Sequence, residues 1–498
     1  MQRNKKKITV LHLSDLHRDP TSPLKNANLL QSLITDAGRY TRELSRPDLA
    51  IISGDIIYGA KTAGGALQEI ASQYEEAGKF LVDLAKEFFN GNRGKIVLVP
   101  GNHDVNWVNS KAAMAPLELD KSSNDANEQK LALVRELLMD ENTNCRVSRQ
   151  TLEFFKIVDF NEYKLRFEAF SEFYKEFYEG NRTFSLEPDS QYNIFDFPEF
   201  GVVIVGFNSC HNNDHCNVEG RINYACVAAA TQELRDVKYK GLTRIGVWHH
   251  DTKGPPRRFD YMDSAVLQNL IDAGFTIGFH GHQHRDEVAE VTFHLGKLKK
   301  FTVLSAGTLC AGPRDLPSGY KRKYNIIELD LENLKATANV REMKNSIFEA
   351  PIWGAGEITQ FGAMSCEIEL EQQWFNDFAV NDRNADILKA ISEAEELITV
   401  KDFTGALGLL ERLDKTHAHV RIFLLECYFE LDLDEDLVNA FYPPESIKEA
   451  CYLMDSLWKT KNVEKLRALV RMSIVSDSLD THVCELKKKY EARISNGT

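Results

Sequence analysis

Short apolar runs recur along the first two thirds of the chain, separated by longer amphipathic stretches. Residues 7–13, 49–53, 96–99, 202–207, 243–248, 276–279, 301–305 and 324–329 are mostly rich in β-branched residues and too apolar for strands with one face in water. This pattern predicts buried strands of an α/β fold with helices between them. Several runs end in Gly, Asn, Asp or His, and in open α/β sheets ligands bind just beyond the carboxyl ends of the strands.

Residues 106–200 break the rhythm. The stretch 131–139 has helical spacing. Phe160, Tyr163, Phe167, Phe170, Tyr174 and Phe177 recur every three or four residues, which predicts one face of a long helix. The segment reads as an inserted helical cap. Its aromatic stripe reads as core packing, with rings lining a substrate entrance as the alternative. From 346 to 382 no period is visible, and Pro351, Gly354, Gly356 and Gly362 punctuate a linker or docking segment.

From 383 to 498 strand signals stop. Leu397, Tyr428 and Leu457 form one set spaced by 31 and then 29 residues. Ala406, Leu437 and Leu466 form a second, and Leu410, Phe441 and Val470 a third. Three stacked helical hairpins would produce this repeat, weakly similar to a tetratricopeptide-type array whose consensus residues are mostly missing. An irregular helical bundle is the plainer reading. The expected domains are therefore 1–345, with the cap at 106–200, and an all-α helical-repeat-like region at 383–498.

Of the 498 residues, 43% are hydrophobic and 27% charged, which excludes wholesale disorder or a low-complexity fibre. The net charge of −14 argues against a general polyanion binder. A local basic groove stays open in Gly307–Lys323, which holds Arg314, Lys321, Arg322 and Lys323. Those charges read either as substrate-phosphate contacts or as solvated surface. No apolar run reaches 18 residues, and the basic start is followed only by the short run 8–13 before Ser14 and Asp15. Neither a membrane span nor a signal peptide is expected, and the location expected is cytoplasmic. Nine scattered cysteines without a CxxC pair fit reduced, buried thiols.

Five segments carry the chemistry: Asp15-Leu16-His17, Gly54-Asp55, Gly101-Asn102-His103-Asp104, His249-His250 and Gly281-His282-Gln283-His284. Each follows a predicted strand, so adjacent strands would gather their side chains at one rim. Carboxylate, carboxamide and imidazole donors without cysteine favour divalent Mn, Fe or Zn. Two Asp, one Asn and four His are too many for one tetrahedral ion with an open position, and about right for two ions sharing one carboxylate. Two ions roughly 3.5–4 Å apart can hold a hydroxide and clamp a phosphoryl group.

In order, these segments resemble the calcineurin-like metallophosphoesterase family, whose pattern is DxH, GD, GNH(D/E), H and GHxH. The resemblance covers residues 1–345, with the cap as an insertion. It implies an α/β, four-layer αββα sandwich of two mixed sheets. It also implies that Asp15, His17 and His284 hold one metal, that Asn102, His249 and His282 hold the other, and that Asp55 bridges them. His250 is the alternative to His249, whose place at a strand end favours it. His103 would be the general acid and Asp104 its orienting partner.

The activity implied is metal-dependent phosphoric ester hydrolysis with two divalent ions, Mn foremost and Fe or Zn as alternatives. A phosphodiesterase attacking through a metal-bridged hydroxide leads. A DNA or RNA nuclease recruited through the helical region is the alternative, and an inactive scaffold or adaptor the second. The expected partners are a phosphate ester, with nucleotides and nucleic acids among the candidates, and a protein or second copy bound through 383–498. With 16 basic and 22 acidic residues over 381–498, that region would repel nucleic acid. Arg314 and Asn208 are candidate substrate contacts, although a polar strand-end turn equally explains Asn208. Cys210, His211, His215 and Cys216 could form a third metal site, but a polar loop is the simpler reading. His280 points away from the site by strand alternation.

Overall fold

A computed structural model describes the chain outside residues 1–6, 61–63, 118–131, 135–143, 149–150, 152, 254–259, 263, 286, 296, 313–315, 317–318, 361, 371–389, 414, 416–417, 445, 477–480 and 496–498. All eight apolar runs form strands. Three of them, β1 (Lys7–Leu13), β2 (Leu49–Ser53) and β3 (Ile96–Val99), lie parallel. A small antiparallel sheet follows, made of β4 (Met114–Pro116), β5 (Cys145–Val147) and β6 (Phe154–Ile157). The second large sheet is built from β7 (Tyr192–Phe197), β8 (Val202–Phe207), β9 (Thr243–Val247), β10 (Phe275–His280), β11 (Glu287–Leu295) and β12 (Lys297–Ser305). Its order is β11-β12-β10-β9-β8-β7, with parallel pairing from β8 to β12 and an antiparallel strand at each edge. The chain then returns to the first sheet as β13 (Lys323–Asp330), β14 (Lys335–Met343), β15 (Trp353–Ala355) and β16 (Ser365–Glu369). β13 pairs antiparallel with β1, β14 with β13, and both β15 and β16 with β14.

Alternation along a strand sets the layers, because successive side chains point to opposite faces. Val202 and Ile204 of β8 join the core that contains the residues of β1–β3. Val203, Val205 and Phe207 join a second core with the helices 224–233 and 264–272. On the first sheet, helix α1 (Asn26–Tyr40) buries Leu29 and Leu33, and α2 (Ala66–Phe89) buries Ile70, Ala77 and Phe80. The result is a calcineurin-like helix–sheet–sheet–helix sandwich, as the motif order implies.

Two boundaries move. The expected cap, 106–200, ends before β7, which belongs to the second sheet. The aromatic stripe is interrupted by a 3-10 turn at Leu165–Phe167 rather than forming one helix. Phe167, Phe170, Tyr174 and Phe177 are buried in the main core, not in a separate cap, while Phe160 is half exposed. The stripe is core packing. Residues 132–134 are helical, and the rest of the helix expected at 131–139 lies outside the described residues. The segment expected as a linker at 346–382 supplies β15 and β16, and Trp353 is buried with its indole N–H donating to Ser32 Oγ at 2.8 Å. Compact units therefore divide at Leu388 and Lys389 rather than at 345.

The second unit consists of paired helices. Residues 390–399 are followed by Phe403–Leu410, Ala418–Glu430 by Asp434–Phe441, and Ile447–Lys459 by Val463–Leu469. Of the nine repeat positions, all but the half-buried Leu397 are buried. No helix among the described residues is long and apolar enough to cross a membrane.

Candidate metal centre

The loops after β1, β2, β3, β9 and β10 meet at one end of the sandwich. Asp15, His17, Asp55, His282 and His284 all have positive φ, between 41° and 78°. Non-glycine residues seldom adopt that region, and long-range hydrogen bonds hold them in it. The Asp15 amide donates to the Gly54 carbonyl and the His17 amide to the Asp55 carbonyl. Glycine is required beside them. A Cβ on Gly101 would lie 2.2 Å from the Asp55 amide nitrogen and Oδ1, and one on Gly281 would lie 1.7 Å from Ser14 Oγ.

The side chains converge as two clusters. In the first, His284 Nε2 lies 3.3 Å from Asp15 Oδ1 and 3.4 Å from His17 Nε2. In the second, Asn102 Oδ1 lies 3.0 Å from His249 Nε2 and 2.9 Å from His282 Nδ1. Asp55 Oδ2 stands between them, 4.0 Å from His17 Nε2 and 3.3 Å from His249 Nε2. His249, rather than His250, enters the second cluster. Its Nδ1 faces the Ser53 carbonyl at 2.8 Å, which leaves Nε2 as the inward lone pair. His250 Nδ1 instead meets Ser209 Oγ, whose oxygen also accepts the amides of His249 and His250.

The donors fit divalent ions. Asp15 Oδ1 is buried, with imidazole nitrogens of His284 and His17 at 3.3 and 3.9 Å, a setting in which a shared cation would compensate its charge. Burial drives the His17 and His282 imidazoles down, to about 4 and about 3, so both offer neutral lone pairs. Burial also opposes charge on His249, but Asp55 overrides it and carries that ring up to about 9. Burial likewise opposes charge on Asp55, yet His249 and then His103 hold its carboxyl well below the usual range. An ion between them would replace the imidazolium as the partner of Asp55. Nitrogen and oxygen donors without sulfur match Mn, Fe or Zn.

His103 sits at the rim with 38% of its side chain exposed, its Nε2 4.0 Å from Asp55 Oδ2. Its Nδ1 faces the Tyr58 carbonyl at 2.6 Å. Asp104 is not its orienting partner. The Asp104 carboxylate turns inward and accepts the amides of Gly101 and Ile56 and the hydroxyl of Tyr74, tying the β2 and β3 loops to α2. Burial and then Asp55 push it up to about 7. Sequence reasoning missed Ser53, Tyr58 and Tyr74, which act through backbone atoms or from distant elements and carry no motif.

The remaining candidates among the described residues bond elsewhere. Asn208 is buried; its side chain bonds Gln191 and accepts the Cys210 amide, so it closes a turn instead of touching substrate. Arg314 lies outside the described residues. Arg322 bonds the Ala311 carbonyl, Lys323 bonds Glu357 and Thr359, and Lys321, 58% exposed, pairs with Glu342, so these three cations are each engaged within the protein. Asp214, His215 and Cys216 are close enough to hold an ion. The Asp214 oxygens, however, already accept from Arg146, Tyr163 and the amides of Cys216 and Asn217. Cys210 is buried and His211 half-buried in the same loop. His280 is buried and stacks on Trp248.

Two clusters of carboxylate, carboxamide and imidazole donors on either side of Asp55, at the strand ends of a four-layer sandwich, form a candidate binuclear metal centre. The family model for calcineurin-like phosphoesterase matches residues 8–286, and the chain belongs to that family, whose members are metal-dependent phosphoester hydrolases. Among solved structures, a dimetal phosphatase from Danio rerio is 11% identical, covering 67% of this chain and 96% of its own, with a TM-score of 0.32. The calcineurin-like phosphoesterase YfkN from Bacillus subtilis is 11% identical over 79% of this chain and 99% of its own, with a TM-score of 0.29. The protein TT1561 of Thermus thermophilus is 11% identical over 65% of this chain and 95% of its own, also at 0.29. A search of curated proteins finds no match.

Proposed function

We propose that this hydrolase is a phosphodiesterase with two ions, manganese foremost. The observation that carries the reading is the pair of clusters sharing Asp55, with His103 exposed beside them. Asp15, His17 and His284 would hold one ion and Asn102, His249 and His282 the other. When bound, such a pair supplies charge neutralisation at the phosphoryl oxygens and an activated water. His103 faces the Tyr58 carbonyl through Nδ1, so Nε2 is the position from which a proton reaches the leaving oxygen. Asp104 holds the loops that carry Asp55 and His103 in register. We propose a cytoplasmic setting, with the helical unit engaging a protein partner.

The test is a hydrolysis panel with added Mn, comparing an aryl phosphate diester, an aryl monoester, cyclic nucleotides, and single- and double-stranded DNA and RNA. Diester turnover should lead. Fast polynucleotide cleavage with poor diester turnover would replace this reading with a nuclease, against which the net charge of −14 stands.

A further inference from the structure

The two clusters carry unequal charge. The first has a carboxylate of its own, Asp15, and shares Asp55. The second has only neutral donors of its own, Asn102, His249 and His282, beside the same Asp55. An ion there would be compensated by one shared negative charge.

His282 resolves this imbalance. Its Nδ1 faces the cluster, 2.9 Å from Asn102 Oδ1 and 3.2 Å from His249 Nε2. Its Nε2 points out of the cluster, toward Asp260 Oδ2 at 3.9 Å. That separation is beyond a direct hydrogen bond, and with the ring neutral the attraction is that of the carboxylate for the Nε2–H dipole. The side chains of His282 and Asp260 are only 11% and 18% exposed, so solvent screens the attraction weakly. Asp260 Oδ1 is itself buried with no hydrogen-bond partner among the described residues. A carboxylate kept for packing would ordinarily be satisfied there. His249 shows the parallel arrangement, its outer nitrogen anchored on the Ser53 carbonyl at 2.8 Å.

We infer that Asp260 is the outer carboxylate of the second metal, a positioning residue that acts through His282. It orients the ring with Nδ1 inward, makes that nitrogen a stronger donor, and supplies at one remove the negative charge the second cluster lacks. Outer partners of metal-bound imidazoles are commonly worth about 10–100-fold in metal affinity. Asp260 lies outside all five sequence motifs and reaches the site only through the tertiary fold. The inference rests on the two-ion reading.

The test is manganese binding to the full chain, followed by stoichiometry under chelator competition and by the spin-coupled signal of paired Mn ions. Wild type should bind two ions. Asp260→Asn should weaken one of the two by about 10–100-fold, leave the other unchanged, and replace the paired signal by that of an isolated ion at limiting manganese. Asp260→Glu, which keeps the charge, should recover most of the lost affinity even if Asp260→Asn lowers the melting temperature of the chelated protein. Wild-type affinity for both ions in Asp260→Asn overturns the inference. So does equal weakening of both, or failure of Asp260→Glu to recover binding. A wild-type protein that binds fewer than two ions would instead refute the two-ion reading.

Discussion

The phosphoesterase unit and the helical unit both place non-glycine residues in the left-handed backbone region, and they hold them there by different means. In the helical unit these are Lys401, Asp432 and Lys461, one at the turn of each hairpin. The amides of Asp402, Leu433 and Asn462 donate to the carbonyls of Leu397, Tyr428 and Leu457, at 2.8, 2.9 and 2.9 Å. Those of Lys401, Asp432 and Lys461 donate to Ile398, Phe429 and Trp458. This is the Schellman ending of a helix, repeated three times, and it is satisfied within six residues of chain. In the phosphoesterase unit Asn90, Glu179 and Leu334 sit at similarly local turns, and five more gather at the rim: Asp15, His17, Asp55, His282 and His284. Their conformation costs about 1–3 kcal/mol each and is held by partners tens to hundreds of residues away. Buried carboxylates and imidazoles are gathered there as well. One unit is stable on local rules. The other holds a strained, charge-dense rim whose charge bound ions would compensate.

That contrast can be broken in several places. The largest effect belongs to truncation. A chain ending at Asn345 loses β15, β16 and the buried Trp353, and should fail to give a cooperative melt, whereas one ending at Leu388 should fold and turn over a chromogenic diester. If the Asn345 chain melts and turns over like the Leu388 chain, the two added strands are dispensable. Next is Asp55→Asn, which removes the shared charge. It should abolish turnover and most bound metal by elemental analysis; retention of both would sink the two-ion assignment.

His103→Asn should keep both ions and lose about 10²–10⁴ in rate on a poor leaving group. The loss should shrink on a nitrophenyl ester, whose leaving oxygen needs little protonation. Equal losses on both substrates would leave His103 with charge stabilisation alone. Chelation comes next. At 100- to 1,000-fold excess over its dissociation constant, each ion should contribute about 2.7–4.1 kcal/mol, visible by calorimetry as a shift of the phosphoesterase transition only. A matching shift of the helical unit would contradict the contrast drawn above. The smallest effect is Asn462→Ala, which removes a side chain capping the Lys465 amide. It should cost about 1 kcal/mol in the helical transition and leave turnover unchanged.

Much of this was legible in the chain. Buried central strands are apolar on both faces, so β1, β2, β3 and β8 stand out as continuous runs. The candidate metal ligands follow β1, β2, β3, β9 and β10 within a few residues, and the hairpin repeat is likewise a local signal. β11 and β14 were not legible, because strands nearer a sheet edge alternate polar and apolar residues, and β15 and β16 are short. Asp104 and Asn208 could be placed near the rim but not oriented. Each turns toward partners on other elements, Tyr74 for one and Gln191 for the other, and no local pattern encodes such a direction.

By itself, then, the sequence determined the central strands, the residues that gather at the rim, the repeat and the family. Only the tertiary structure decided that residues 353–369 complete a sheet, that Tyr74 and not His103 is the partner of Asp104, and that Asp260 stands behind His282. The reason is one of range. Strand burial, metal-ligand spacing and helix endings are set by neighbours along the chain, whereas the direction of a buried polar side chain is set by whichever donor or acceptor the fold brings to it.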